Sequence, residues 1–246
     1  MDRMIWTAVS GMSASIAQQR MIASNLANAQ TTGFRAEFMQ FTPMTLKGPG
    51  LENRALADGA VRGALMHAGA VIQTGRPLDV AANGEALIAV QASDGDEAYT
   101  RRGDLTLSPS GMLVNGEGYA VLGEGGPISV PPGSQISIAP DGAVLAKDPA
   151  TPDAPATEVG RIKLAAWRGS QINKGLDGLF RVTGGGVLPS DAAATVTPAA
   201  LEQSNVSTSQ VLVEMIEAQR LFDMRTKLIA TARELDEGGA QLMRVS

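Results

Sequence analysis

Two helical stripes of apolar residues stand at opposite ends of this chain, and neither has a partner helix nearby in the sequence. The first stripe recurs every seven positions in two neighbouring rows: Ile5, Met12, Gln19 and Leu26 in one, Val9, Ile16 and Ala23 in the other. This period is typical of one face of an α-helix. Because Asn and Gly tolerate the conformation that closes helices, the stretch from Asn28 to Gly33 predicts the end of this helix.

The second stripe is longer and also has a seven-residue period. Its rows are Met215, Phe222 and Ile229, then Leu221, Leu228, Leu235 and Leu242, with Ala218 and Ala232 between them. Ser204 or Ser207 can cap this helix at its N-terminus. We predict the helix between Val206 and Glu237, because Gly238 and Gly239 weaken the turns that follow.

Between the stripes the apolar period changes from helical to β-like. Residues 78–92 predict a hairpin that turns at Asn83-Gly84, a strong short-range hairpin signal. Further β-prone runs, separated by Gly-containing turns, are predicted at 99–107, 112–115, 119–122, 127–130, 135–138, 143–146 and 162–167. Aromatic residues are only 4% of the chain while Gly numbers 28, so the β core must be aliphatic and rich in turns.

The sequence therefore predicts an α+β fold in which long, coiled-coil-like terminal helices flank an irregular all-β domain. We divide it into a helical assembly segment at 1–35, an extended linker at 36–74, the β domain at 75–188 and a second helical assembly segment at 189–246. The residues from 147 to 158 predict an exposed loop. Two amphipathic helices can pair with each other within one molecule, and they can also associate between molecules.

Composition excludes several kinds of site. The net charge is -5 without a basic stripe, so no nucleic acid is expected as a partner. Cysteine is absent, which excludes disulfides and thiolate metal sites. No run is long and apolar enough to span a bilayer, and polar residues interrupt Ile5–Leu26, so no cleaved secretory signal is expected.

The sequence contains few residue patterns that could form a catalytic site. The single histidine, His67, has no suggestive partner for a triad or a metal site. Residues 93–97 resemble part of a calcium loop but predict a hairpin turn, because the ladder of ligands is missing. The clusters at 123–126 and 184–186 predict turns, since neither is a phosphate-binding loop. Two carboxylate pairs leave a remote glycosidase hypothesis open: Asp177 with Asp191, and Asp79 with Glu85.

Five sequence blocks resemble those of the flagellar rod and hook proteins. The most specific is Asn25-Leu26-Ala27-Asn28-Ala29-Gln30-Thr31-Thr32-Gly33-Phe34-Arg35, which is similar to the N-terminal signature of that family. Blocks at 75–81, 99–105 and 113–119 match in the middle of the chain. Leu201-Glu202-Gln203-Ser204-Asn205-Val206, followed by 215–220, is similar to the C-terminal signature. The chain most resembles the proximal rod proteins of the family.

The resemblance implies a structural subunit, not an enzyme. Such subunits are exported by the flagellar type III apparatus without cleavage of a signal, and they polymerise through their terminal helices into the periplasmic rod that transmits torque. The implied partners are other rod proteins and further copies of the chain, with bushing rings and peptidoglycan outside the rod. No cofactor and no small-molecule substrate is expected. A distal rod or hook subunit is the alternative within the family.

The stripes and the two signatures together give the candidate assembly residues. These are Ile5, Val9, Met12, Ile16, Asn25, Leu26, Asn28, Thr32, Gly33, Phe34, Asn205, Met215, Ala218, Gln219, Leu221, Phe222, Leu228, Ile229 and Leu235. Gly33 is expected to have a positive φ angle, because the signature turns sharply there.

Overall fold

The computed structural model describes residues 2–45, 55–151 and 154–245, with side chains described for 9–39, 63–151, 154–231, 233 and 234. Its elements in chain order are α1 (Asp2–Ala27), β1 (Glu37–Thr45), β2 (Ala55–Ala64), β3 (Val71–Gln73), β4 (Val80–Ala82), β5 (Ala86–Gln91), β6 (Glu97–Thr100), β7 (Thr106–Leu107), β8 (Leu113–Val114), β9 (Ala120–Gly123), β10 (Gly126–Pro127), β11 (Gln135–Ile138), β12 (Ala143–Lys147), β13 (Thr157–Arg161), β14 (Leu164–Ala166), β15 (Ile172–Lys174), β16 (Phe180–Val182), β17 (Val196–Pro198), β18 (Ala200–Glu202) and α2 (Thr208–Val245).

The chain forms two compact units. The helical unit comprises Met1–Ala27, Glu37–Gly63 and Ser207–Ser246, and the β unit comprises Asn28–Ala36 and Ala64–Val206. Within the helical unit α1 contacts α2 and β1, and β1 pairs with β2. The predicted α+β class, with one helix toward each end of the chain, is confirmed.

Strand β5 is the centre of the largest sheet in the β unit. The strand order of this sheet is β15-β16-β6-β5-β9-β8-β7, with β14 also paired to β5 and β10 to β9. Side chains alternate between the two faces of a strand. Ile88 and Val90 accordingly belong to one core cluster, whereas Leu87 and Ala89 belong to a second. Both faces of β5 are buried, which explains its nearly continuous apolar sequence.

Two predictions of local β structure are confirmed, and in both the paired strands are neighbours in the chain. The run predicted at 135–138 is β11, and it pairs with β12 in a three-stranded sheet completed by β13. Residues 93–97 contain the turn that joins β5 to β6, in which the amide of Ala92 donates to the carbonyl of Asp96 at 2.9 Å. The hairpin interpretation of the calcium-like segment is therefore confirmed.

The predicted hairpin over residues 78–92 is wrong. A turn does form at Asn83 and Gly84, but β4 pairs with β17 and β5 pairs with β6, β9 and β14. The physical reason is a buried guanidinium that occupies the space between the two strands. Arg101 donates to the carbonyls of Ala82 at 2.7 Å and Gly84 at 3.1 Å, and also to that of Ala86. These hydrogen bonds connect the two strand ends to Arg101, while β4 and β5 pair with strands farther along the chain.

Two segments contain more β structure than their sequences predicted. The expected linker at 36–74 includes β1, β2 and β3, and the expected helical segment at 189–246 begins with β17 and β18. Strands β3 and β18 pair with each other, and β17 pairs with β4. These partners are more than a hundred residues apart, so no local pattern marks the pairing. Helix α2 continues past Gly238 and Gly239 to Val245.

We predict that Gly103→Ala destabilises the β unit. A Cβ atom at this position would lie 2.9 Å from the carbonyl carbon of Val80, whose amide donates to the carbonyl of Gly103 at 2.9 Å. Because backbone cannot move aside as a side chain can, overpacking should reduce the free energy of unfolding by about 1 to 3 kcal/mol. Gly125→Ala is the matched control, since no atom lies within 4 Å of its Cβ position. Urea unfolding of both variants measures the difference, and equal stabilities would contradict the prediction.

Candidate assembly interface

Helix α1 buries a face that lies beside the predicted rows. Its buried side chains are Ala14, Ser15, Ile22 and Asn25. Among the predicted residues, Met12 and Leu26 are half-buried, whereas Val9 and Ile16 are exposed. Ile5 lies outside the residues whose side chains are described. Asn25 is the one predicted residue among these four, and the other predicted residues of α1 whose side chains are described lie beside this face.

Helix α2 buries a row that lies between the two predicted ones. Val211 and Ala218 are buried, and Arg225 continues their seven-residue spacing. The predicted residues Met215, Leu221, Phe222 and Ile229 are half-buried on either side of this row. Gln219 is exposed, and Leu228 is 64% exposed. Leu235 lies outside the residues whose side chains are described.

Arg225 joins α2 to α1 through polar contacts. Its Nη1 donates to the carbonyl of Gly11 at 2.5 Å and also to Oγ of Ser15. A Cβ atom on Gly11 would lie 3.8 Å from the Arg225 guanidinium, so a side chain larger than Ala would compete for that space. The two terminal helices thus contact each other within one chain, which is the first of the two arrangements that the sequence allowed.

Several large apolar side chains of α2 are exposed outside this buried row. They are Val213, Ile216, Met224 and Leu228, which are between 52% and 64% exposed. At about 100° per residue, Val213 lies about 200° around the helix from Val211, and Ile216 lies about 160° from Ala218. Helix α2 therefore has an inner face that contacts α1 and a broad outer face, defined by these four residues, that remains exposed in a single chain. Leu228 stands at the edge of the outer face, about 60° around the helix from Arg225.

The first signature residue, Asn25, connects α1 to β1 within the helical unit. Its Nδ2 donates to the carbonyl of Glu37 at 2.9 Å, and its Oδ1 accepts from the amide of Glu37 at 2.8 Å. Both hydrogen-bonding groups of the side chain are thus used by the backbone of one residue. Asn25 is buried and positions a strand, a role that spacing alone could not reveal.

The signature turn after α1 has the geometry that its sequence predicted. Helix α1 ends at Ala27, the amide of Thr31 donates to the carbonyl of Asn28 at 3.1 Å, and Gly33 has a φ angle of +67°. The expected positive φ is confirmed. A Cβ atom on Gly33 would lie 2.5 Å from the carbonyl oxygen of Arg101, so glycine is required for space as well as for conformation. Thr32 is half-buried beside it.

Asn205 of the C-terminal signature holds two upstream segments of the β unit. Its Oδ1 accepts from the amide of Ala36 at 2.7 Å. Its Nδ2 donates to the carbonyls of Leu65 at 2.7 Å and His67 at 2.9 Å. His67 contributes its backbone to this arrangement. The two signatures, 169 residues apart at this contact, therefore meet in the folded chain.

A buried carboxylate stands at the centre of the same region. The Glu202 carboxylate pairs with Nη1 of Arg35 at 2.5 Å and accepts from Nε of Arg101 at 2.7 Å, while the amide of Gly69 donates to its Oε1 at 2.8 Å. The carbonyl of Glu202 accepts from the amide of Gly33 at 2.7 Å. We call Glu202, Arg35 and Arg101 the ion triad. Burial lowers the pKa of Arg101 from its ordinary value, and the Glu202 carboxylate opposes that shift.

Sequence analysis did not single out the ion triad, although each member stands inside a quoted block. Arg35 closes the N-terminal signature, Arg101 lies in 99–105 and Glu202 lies in the C-terminal signature. Charged residues are rarely buried unless they are paired, so composition alone does not indicate that these three are buried. The one signal in the sequence was that each of them lies within a block that matches the family. Phe34, which was predicted, is half-buried, and Nζ of Lys174 lies 3.5 Å from the centre of its ring.

The carboxylates considered for a glycosidase all have structural partners. Asp177 accepts from Arg181 at 2.7 Å, Glu85 from Arg168 at 2.5 Å, Asp79 from Thr74 at 2.6 Å and Asp191 from the amide of Ala193 at 3.0 Å. The hydrogen bond from Arg181 holds the pKa of Asp177 below its ordinary value, which is unsuited to a general acid. Over the described residues, no cluster of three potential metal ligands occurs and no helix could cross a membrane.

Comparisons with known proteins agree with this geometry. Family models match residues 5–35 (Flagella basal body rod protein), 81–146 (Flagellar hook protein FlgE/F/G D1 domain) and 197–242 (Flagellar basal body rod FlgEFG protein C-terminal). The flagellar basal-body rod protein FlgF of Salmonella typhimurium is 40% identical, and that of Escherichia coli is 39% identical, over the full length of both chains. The rod protein FlgG of Agrobacterium fabrum is 32% identical over 95% of this chain and 96% of its own.

We predict that Gly33→Ala detaches the signature turn. The substitution adds an unfavourable φ angle and a clash with the Arg101 carbonyl, so the free energy of unfolding should fall by about 1 to 3 kcal/mol. Thermal unfolding measures this loss. Gly75→Ala is the control, because Gly75 also has a positive φ but has no atom within 4 Å of its Cβ position. Gly33→Ala should be the more destabilising of the two, and an equal or smaller loss would show that the close approach to Arg101 does not matter.

Proposed function

This chain belongs to the family of flagellar basal-body rod proteins, and from this premise we propose that it assembles through its terminal helices into the proximal rod. It is a structural subunit of the basal body, not an enzyme. The observation that carries the proposal is the outer face of α2, because large apolar side chains on a solvent-exposed helix mark a surface for another molecule.

The inner and outer faces of α2 support a layered helical assembly. The inner face contacts α1 of the same chain, which leaves the outer face for helices of neighbouring subunits. Helix α1 also has exposed apolar residues, Val9 and Ile16, seven positions apart. A seven-residue repeat on both helices suits packing of the coiled-coil type, in which side chains of one helix fit between those of the next.

The two exposed surfaces differ from each other, and this difference favours an open polymer. When a surface pairs with a different surface on the next copy, the contact is head-to-tail and repeats without closing unless the rotation forms a ring. The surface around Val9 and Ile16 and the outer face of α2 form such a pair. A rod that grows along its axis requires contacts of this kind.

We further propose that the partners are other rod proteins and copies of this chain, with bushing rings and peptidoglycan around the rod. The proposed location is the periplasmic part of the basal body, reached through the flagellar type III apparatus without cleavage of a signal. Full-length identity of 39% to 40% with two FlgF proteins, against 29% to 32% with FlgG proteins, favours a FlgF-like position in the rod, while a third FlgF protein is 24% identical over its full length.

The double variant Ile216→Ala, Leu228→Ala should fold normally and fail to assemble. Both side chains are more than half exposed in the single chain, so their truncation should leave its stability nearly unchanged. In an assembly that buries them, each truncation should remove about 2 to 5 kcal/mol of packing. Swimming of cells that contain only this variant, together with recovery of the protein in purified basal bodies, measures the effect.

The matched control is Leu176→Ala, Val187→Ala, which truncates two exposed apolar residues of the β unit. Cells with this control variant should swim. If the α2 variant assembles and supports swimming as well as the control does, the outer face is not an assembly surface. If the isolated α2 variant unfolds at a much lower temperature than the wild type, its residues belong to the core of the single chain.

A further inference from the structure

We propose that Glu202 is a folding latch: residues 28–36, which include the end of the N-terminal signature, dock onto the rest of the β unit only when the Glu202 carboxylate enters the space between Arg35 and Arg101. All three side chains are almost completely buried, at 0% to 3% exposure. Among the described residues no other carboxylate pairs with either arginine. Nε and Nη1 of Arg35 have no hydrogen-bond partner in this described part of the chain, so the contact of Nη1 with Glu202 is an ion pair and not an aligned hydrogen bond. The charge of this site therefore depends on one residue.

The balance of charge explains why the carboxylate is needed. With Glu202 in place the ion triad has a net charge of +1, and without it two guanidinium groups would share a buried site. Arginine remains protonated in proteins, so these groups cannot lose their charge as a buried lysine or histidine can. Removal of one partner from a buried ion pair leaves an uncompensated charge that strongly opposes burial.

The backbone contacts around Glu202 make docking of the signature conditional on this residue. Its carbonyl accepts from Gly33, and its Oε1 accepts from Gly69 at 2.8 Å. Strand β18, which ends at Glu202, pairs with β3, and Asn205 three residues later accepts from the amide of Ala36 at 2.7 Å. The segments 28–36, 64–74 and 199–206 thus meet around one carboxylate.

The positions of the three charged residues in the sequence determine when the latch can close during folding from the N-terminus. Arg35 and Arg101 both precede Glu202, so a chain that emerges from its N-terminus exposes two arginines long before their counter-charge. The N-terminal signature consequently stays undocked until about residue 202 is free, although the strands of the main sheet have all emerged by then. The latch thereby delays completion of the β unit until nearly all of the chain is available.

Hydrogen exchange of the full-length variant Glu202→Gln tests this inference. Glutamine keeps the shape and can still accept from Gly69, so only the charge is lost. We expect the amides of Gly33 and Ala36 to exchange about 100-fold faster or more than in the wild type, while those of Val90 and Val121 in the main sheet stay protected. Ala36 donates to Asn205 and not to Glu202, so a loss confined to residue 202 would not reach its amide, whereas Gly33 donates to the backbone carbonyl of Glu202 and reports on both.

Two further variants keep the test decisive. Arg35→Met combined with Glu202→Gln restores the net charge of +1 and should recover much of the protection at Ala36. Glu85→Gln removes a carboxylate from an exposed pair with Arg168 and should change nothing at the signature. Unchanged exchange in Glu202→Gln, an absence of rescue by Arg35→Met, or equal loss of protection throughout the main sheet would each overturn the latch. The test concerns a single chain, so its result is independent of rod assembly.

Discussion

The position of the Glu202 carboxylate between two buried arginines is the interaction on which the arrangement of the β unit depends. Burial of three charged groups is costly unless each finds compensation, and here the compensation comes from segments that are far apart in the sequence. Arg101 also donates to three backbone carbonyls that would otherwise be available to a local hairpin. One polar cluster therefore fixes the path of the strands around it as well as the docking of both signatures.

The limits of sequence-based prediction in the β unit follow from the range of its contacts. The turn after β5 and the strand β11 were predictable, because each depends on residues only a few positions apart. The pairing of β17 with β4 and of β18 with β3 was not, since periodicity contains no information about a partner more than a hundred residues away. The Asn83-Gly84 pair correctly predicted a turn. The hairpin that such a turn usually joins does not form, and the guanidinium of Arg101 bonds the carbonyls on both sides of the turn instead.

The helices show a different limit. Their existence and the end of α1 were predictable from a seven-residue repeat, and Asn25 and Ala218 were named in advance, whereas the buried Ser15 and Val211 were not singled out. Hydropathy draws attention to Leu, Met and Phe, whereas the inner contact is built from small and polar residues such as Ser15, Ala218 and Arg225. Small side chains let two helices approach closely, and a polar residue at a core position fixes their register. The predicted rows flank this contact on both sides.

The division of residues between the two faces of α2 has a thermodynamic consequence. Complete burial of a Val, Leu, Ile or Met side chain contributes about 1.5 to 3 kcal/mol, whereas Ala and Ser contribute far less. The inner face uses Ala218 and a polar contact, and the outer face holds Ile216, Met224 and Leu228. The inner row also buries Val211, so the outer face adds to the apolar surface of α2 that a single chain buries. If the proposed assembly buries the outer face, the helix pair gains further stability there, in addition to what its inner contact supplies in the free chain.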